Sequence, residues 1–142
     1  MATTIQFPGG LRLRAAGGDE QPHLARPDWG VYADHCWDGW PGVVLEWPDF
    51  GVPSDDEAAL AAIVDAVRRA EAGDDVLVGC RGGIGRTGTI VAAVAVMRGV
   101  PADEARAWVR ERLHPFAVET DEQVRWITEG VAHRPRFRPQ GD

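Results

Sequence analysis

Apolar positions along the chain follow two periods that take turns. The stretches from Thr3 to Phe7 and from Leu11 to Arg14, around a Pro8-Gly9-Gly10 turn, place apolar residues at alternate positions and predict two short strands. The segment from Ala15 to Pro27 is polar and reads as loop, and weak strands are expected near Gly30 to Ala33 and at Val43 to Trp47. Ser54 with Glu57 reads as a capping box for a helix running to about Ala72 and stopped by Gly73, with Leu60, Ile63, Val64 and Val67 on one face. The unbroken apolar run ending at Val78 predicts a buried strand, and Gly88 to Met97 an apolar helix. Pro101 to Leu113 predicts an amphipathic helix with Ala105, Trp108, Val109 and Arg112 along one side. Thr120 and Gln123 form a second capping box, opening a helix to about Val131. This order predicts an α/β fold, a single compact domain with a central mixed, mostly parallel sheet flanked by helices. Its ligand site belongs at the carboxyl end of the Val76 to Gly79 strand.

Composition narrows the class. With 142 residues one core is expected, over residues 1–132, and the Pro-punctuated residues 133–142, with Arg134, Arg136 and Arg138, read as a solvated tail. The net charge of −7 argues against nucleic acid or an acidic membrane as partner. No run is long and apolar enough to span a bilayer, so a cytoplasmic protein is expected. Every basic residue is Arg, which with abundant Ala, Gly and Pro points to a bacterium with a GC-rich genome. Two cysteines, Cys36 and Cys80, suit a reducing compartment, and a Cys36–Cys80 disulfide rests on the count alone. His35 beside Cys36 has no second ligand pair at zinc-type spacing, so no metal or other cofactor is expected.

The chemistry concentrates in Cys80-Arg81-Gly82-Gly83-Ile84-Gly85-Arg86-Thr87, a turn between the predicted buried strand and apolar helix. The first N–H groups of a helix lack intrahelical partners and carry partial positive charge, so an anion is stabilised there. Gly82, Gly83 and Gly85 let successive N–H groups curl inward into an oxyanion nest. Arg86 adds a two-pronged contact to phosphate oxygens. The same positive field favours the thiolate of Cys80, the nucleophilic form. Two other readings of the loop fail on context. Gly83 to Gly88 matches the dinucleotide fingerprint, but the following helix leads to another helix and not to a strand ending in an acid. A nucleoside-triphosphate loop needs a Lys before Thr87, and the chain has none.

A second segment, Trp47-Pro48-Asp49-Phe50-Gly51-Val52-Pro53, supplies a carboxylic acid on a stretch bounded by prolines and able to swing as a unit. Together with the Cys80 to Thr87 loop and the later Thr120-Asp121-Glu122-Gln123, it resembles the protein tyrosine phosphatase superfamily of cysteine-dependent phosphatases. These segments occur in the family's order and at similar spacing, from about Val43 to Gly130. The resemblance implies that Cys80 attacks phosphorus to form a phosphocysteine. It implies that Arg86 and the amides of Arg81, Gly82, Gly83, Ile84, Gly85 and Arg86 cradle the phosphate, and that the Thr87 hydroxyl serves the sulfur. Asp49 is the implied general acid and then base, and Gln123 the residue that places water. The implied substrate is a phosphorylated protein or a small-molecule phosphate.

Three features depart from the family pattern. The residue before the nucleophile, commonly His, is Gly79, which predicts weaker thiolate activation. The leading glutamine of the late stretch is Glu119, able to order a water or to repel a phosphocysteine. No tyrosine-bearing recognition loop is visible, Tyr32 being the sole tyrosine. Trp29, Tyr32, Trp37 and Trp40 read either as an aryl pocket or as core, and Arg81 either as a rim cation for polyanionic substrates or as half of a surface pair. Gln123 serves either a helix cap or the water. The rival to a phosphatase is a phosphate-binding module using the same loop; sulfur transfer or arsenate reduction finds no use for Asp49.

Overall fold

A computed structural model describes residues 2–133. Five strands form one sheet: β1 (Thr3–Gln6), β2 (Arg12–Gly17), β3 (Trp29–Tyr32), β4 (Val43–Val44) and β5 (Val76–Cys80), in the order β1-β2-β5-β3-β4. Only β1 and β2 run antiparallel; β5 lies between β2 and β3 and is parallel to both, as β4 is to β3. The sheet is therefore mixed and parallel at its centre, as expected.

Side-chain alternation along β5 sets the site. Val76, Val78 and Cys80 join the main core with Ile5, Leu13 and Val31, while Leu77 belongs to a smaller cluster on the other face with Ala16, Tyr32 and Trp37. The main core is closed by α1 (Asp56–Glu71), through Ala59, Leu60, Ile63 and Val67, and by α2 (Gly85–Met97), buried nearly throughout. Helix α3 (Ala105–Arg112) adds Ala105 and Val109, and α4 (Asp121–Arg125) continues into a wider-wound turn, Trp126–Val131, that adds Trp126, Ile127 and Val131. No helix among the described residues is long and apolar enough to cross a membrane.

Several boundaries differ from the sequence reading. Strand β2 extends to Gly17, and Gly18–His23 winds into a short 3-10 helix where loop was expected, because β5 offers β2 a parallel partner as far as Cys80. Strand β4 keeps only Val43 and Val44, since the chain from Leu45 onward leaves the sheet to cover the site. Helix α1 is capped by Asp55, whose carboxylate accepts from the Ala58 N–H at 3.1 Å, in place of Ser54. Pro101 opens a single tight turn, Ala102–Glu104, before α3 begins. The expected tail lies almost wholly outside the described residues, and Arg134, Arg136 and Arg138 with it.

Candidate active site

Helix α2 starts at Gly85, three residues earlier than its apolar pattern, so Arg86 and Thr87 sit in its first turn. Its N-cap, Ile84, makes no side-chain cap bond, which leaves the first-turn N–H groups to face a ligand. Of the loop glycines only Gly83 needs its freedom. Its φ is +73°, and a Cβ there would come 2.5 Å from the Gly17 nitrogen at the end of β2. This conformation aims the Gly83 N–H at Cys80 Sγ, 3.1 Å away, a contact that stabilises negative charge on sulfur. The Cys80 side chain is buried at the carboxyl end of the central strand. Thr87 Oγ1 is buried and has no hydrogen-bond partner among the described residues, which leaves its proton uncommitted.

Arg86 is the most constrained group of the site. It is 5% exposed, and its Nη1 donates to the carbonyls of Ala33 at 2.6 Å and Trp47 at 2.9 Å. Its Nη2 lies 3.3 Å from Asp34 Oδ2, and its Nε, which makes no aligned hydrogen bond, lies 3.4 Å from Asp49 Oδ1. The structure thus brings the acid of the Trp47 to Pro53 segment onto the guanidinium of the phosphate loop. Asp49 is 60% exposed and also accepts from the Phe50 N–H at 3.0 Å. Phe50, at φ +64°, is held in the left-handed region, a strain of about 1–3 kcal/mol.

The acid segment is fastened from the other side by the stretch before α4. Gln123 is fully buried; its Oε1 accepts from the N–H groups of Glu119 and Thr120, and its Nε2 donates to the Gly51 carbonyl. Thr120 Oγ1 donates to the Phe50 carbonyl at 3.0 Å. The capping box of Thr120 and Gln123 is present, and the amide nitrogen left over by the cap holds the acid segment. Glu119 lies with its carboxylate against Gly85, where a Cβ would collide with it. Glu119 therefore stands at the mouth of the anion nest.

Asp34 has a part in this site that the sequence reading missed. Its carboxylate holds Arg81 at 3.0 Å through Oδ1 and Arg86 through Oδ2, and it caps the short turn His35–Trp37 by accepting from the Cys36 N–H at 2.8 Å. Burial alone would raise the Asp34 carboxyl, but the Cys36 hydrogen bonds and the two guanidinium groups outweigh it and hold the group below its ordinary range. An Asp directly after a buried strand was the available signal. Arg81, 69% exposed, pairs with Asp34 and also borders the pocket at Arg86, so the pair and the rim position occur together. The aromatic segment divides: Tyr32 and Trp37 are fully buried core, stacked at 5.2 Å, with Trp40 edge-on against Trp37. Trp29 packs under Arg69. Both cysteines are free thiols, and no group of three or more His, Cys, Asp or Glu fit for a metal occurs among the described residues.

A family model described as protein-tyrosine phosphatase matches residues 42–133, from the start of β4 past the last described turn. The chain belongs to the protein-tyrosine phosphatase family. It is 36% identical over 95 residues to an uncharacterized protein, MJECL20, of Methanocaldococcus jannaschii, covering 66% of this chain and 62% of that one. It is 34% identical over 97 residues to human tyrosine-protein phosphatase non-receptor type 18, of which it covers 21%. The crystal structure of Tk-PTP in the active form superposes with a TM-score of 0.71 at 28% identity, over 93% of this chain and 97% of that one. The chain thus has the fold of the cysteine-dependent phosphatases, while spanning about three fifths of the length of the curated relatives it matches first. The expectation of a bacterial source gains nothing from these relatives, of which MJECL20 is archaeal.

Proposed function

We propose that the protein hydrolyses phosphomonoesters, phosphotyrosine or a related phosphate, through a phosphocysteine intermediate. The observation that carries this reading is the meeting at Arg86 of the loop that bears Cys80 and the segment that bears Asp49, with Nε and Oδ1 3.4 Å apart. A binder of phosphate needs the guanidinium and the amides; it has no use for a nucleophile and an acid brought to the same place.

The thiolate of Cys80 attacks phosphorus while Arg86 and the loop amides hold the equatorial oxygens. The P–O bond to the leaving group breaks, and protonated Asp49 gives that oxygen its proton. Water then attacks the phosphocysteine and Asp49 takes one of its protons. The S–P bond breaks, and the pair returns to sulfur, where the Gly83 N–H and the Thr87 hydroxyl receive the charge. Inorganic phosphate leaves. Glu119 and Gln123 border the path of that water, Gln123 chiefly by holding the acid segment in place. Phe50, 58% exposed beside the acid, offers an apolar surface to an aromatic leaving group, which supports phosphotyrosine on a protein as the substrate class.

Hydrolysis of a generic aryl phosphate with chelator present, compared among the native protein, Cys80→Ser and Asp49→Ala, tests the reading. The expected result is metal-independent turnover abolished in the first variant and slowed about 10²–10⁴-fold in the second. The other use of the same loop is a phosphate-binding module, which the Glu119 carboxylate at the nest would weaken. Vanadate binding without turnover at any pH would establish that second reading.

A further inference from the structure

Gly79 departs from the family's usual His, and another side chain stands in the space. A Cβ built on Gly79 would lie 2.8 Å from Cε2 and 2.9 Å from Nε1 of Trp37, so the indole rests directly on the glycine. From there Nε1 donates to the carbonyl of Cys80 at 3.0 Å, in a buried setting. The ring is itself held, stacked on Tyr32 with an interplanar angle of 9°, and the Tyr32 hydroxyl donates to the Pro41 carbonyl at 2.9 Å. Trp37 also closes the short turn that Asp34 caps. The segment 34–37 therefore grips the phosphate loop at both ends, by indole at Cys80 and by carboxylate at Arg86.

We propose that Trp37 is a positioning residue for the nucleophile, replacing the support that a side chain at position 79 would give. The Nε1–H group holds the Cys80 carbonyl away from the anion site. The peptide plane that follows must then present its N–H inward, and the turn continues to the Gly83 N–H that faces Sγ. Without that donor the buried Cys80 carbonyl loses its partner and can tilt toward the incoming dianion about the Cys80 and Arg81 torsions, while the next plane stays restrained by the Gly18 N–H on the Arg81 carbonyl at 2.8 Å. Gly79 is thus the small partner that a Trp at position 37 requires. The proposal rests on the phosphatase reading for its catalytic consequence, though not for its effect on the thiol.

Trp37→Phe keeps a ring over Gly79 and removes the donor. The pH dependence of Cys80 alkylation by iodoacetate, followed on the Cys80 peptide by mass spectrometry, is measured beside kcat/KM for an aryl phosphate and the melting temperature. The expected result is an alkylation midpoint about one pH unit higher, with kcat/KM about tenfold lower. A lower melting temperature with midpoint and kcat/KM both unmoved would make Trp37 packing only and overturn the proposal. A second arm does not depend on Trp37→Phe folding well. Trp37→Ala combined with Gly79→His is expected to regain the midpoint lost by Trp37→Ala alone, whereas Gly79→His alone clashes with the indole. A double variant no better than Trp37→Ala would also overturn it. If the native protein hydrolyses nothing while the Trp37→Phe midpoint still moves, the phosphatase reading falls and the positioning role stands. Intact hydrolysis with an unmoved midpoint removes the positioning role alone.

Discussion

Gln123 Nε2 donates to the Gly51 carbonyl at 3.1 Å, the same oxygen that accepts from Trp47 Nε1 at 2.7 Å. One carbonyl thus ties the acid segment both to its own hinge tryptophan and to the buried glutamine ahead of α4. Removing the glutamine frees the segment without touching the nucleophile. Gln123→Ala is therefore expected to lower kcat about tenfold or more on alkyl phosphates, whose leaving oxygen needs the acid. The loss should be smaller on a phenol ester with an acidic leaving group. Cys80 alkylation should be unchanged. Equal losses on both substrates would mean that the bond does not serve the acid.

Asp34 is the counter-charge of a guanidinium that is almost wholly buried. Asp34→Asn leaves Arg86 with two carbonyls and the exposed Asp49 carboxylate, 3.4 Å from Nε, and should cost about 1–3 kcal/mol of stability together with about a tenfold or larger loss in kcat/KM. The sign of the pH effect follows from the depressed carboxyl. Its contribution is present above the ordinary value of 3.8 and is lost only as pH falls through the lower folded-state value. Chemical denaturation of the native protein and the variant should therefore differ by a constant amount from neutrality down to about pH 5, and converge in stronger acid. A gap that closes well above the carboxylate range would contradict the pairing.

The two thiols should behave differently. Burial first, and then the hydrogen bond and charge of Asp34, push the Cys36 thiol up to about 11, so at neutral pH it stays protonated. Cys80 has the Gly83 N–H at its sulfur and the anion nest around it. Iodoacetamide at pH 7 should label Cys80 and spare Cys36, with Cys36 reacting only in strong alkali. Peptide mapping that found comparable labelling of both at pH 7 would show that the Asp34 to Trp37 turn is open in solution.

What the sequence disclosed, and what it did not, divides by range. The phosphate loop, the acid segment and the Thr120 to Gln123 box were legible because each is a local run whose chemistry needs contiguous residues. Helix α1 was legible from its periodicity, with only its cap displaced by one residue, since Ser54 and Asp55 are both competent oxygens and geometry selects between them. The supports of the site were hidden because they act across the fold. Asp34 meets Arg81 and Arg86 across the sequence, and Trp37 looked like any buried aromatic until its Nε1 was seen on the Cys80 carbonyl. The truncation of β4 has the same cause: Trp47 leaves the sheet so that its carbonyl reaches Arg86. The strain at Phe50 and Val118, the two non-glycine residues with positive φ among those described, has no local signature either. One lies in each of the two segments that meet over the loop.

Glu119 is the sharpest test of how this site handles charge. Its carboxylate touches Gly85, the first residue of α2, so a bound phosphate dianion and a carboxylate share the mouth of one nest. Two unit charges about 4 Å apart in water repel by about 1 kcal/mol, and the second charge of the dianion adds to this while exposure and salt reduce it. Glu119→Gln puts in an amide able to hold the hydrolytic water and discards the charge. Inhibition by inorganic phosphate and vanadate should tighten about fivefold, equivalent to about 1 kcal/mol, with kcat within about twofold of the native value. The gain should shrink as salt is raised. A variant whose phosphate inhibition is unchanged at low salt would show that the carboxylate turns away from the loop in solution. A fall in kcat with a burst of leaving group would instead make the carboxylate itself, rather than any water-holding amide, the group that the second step needs.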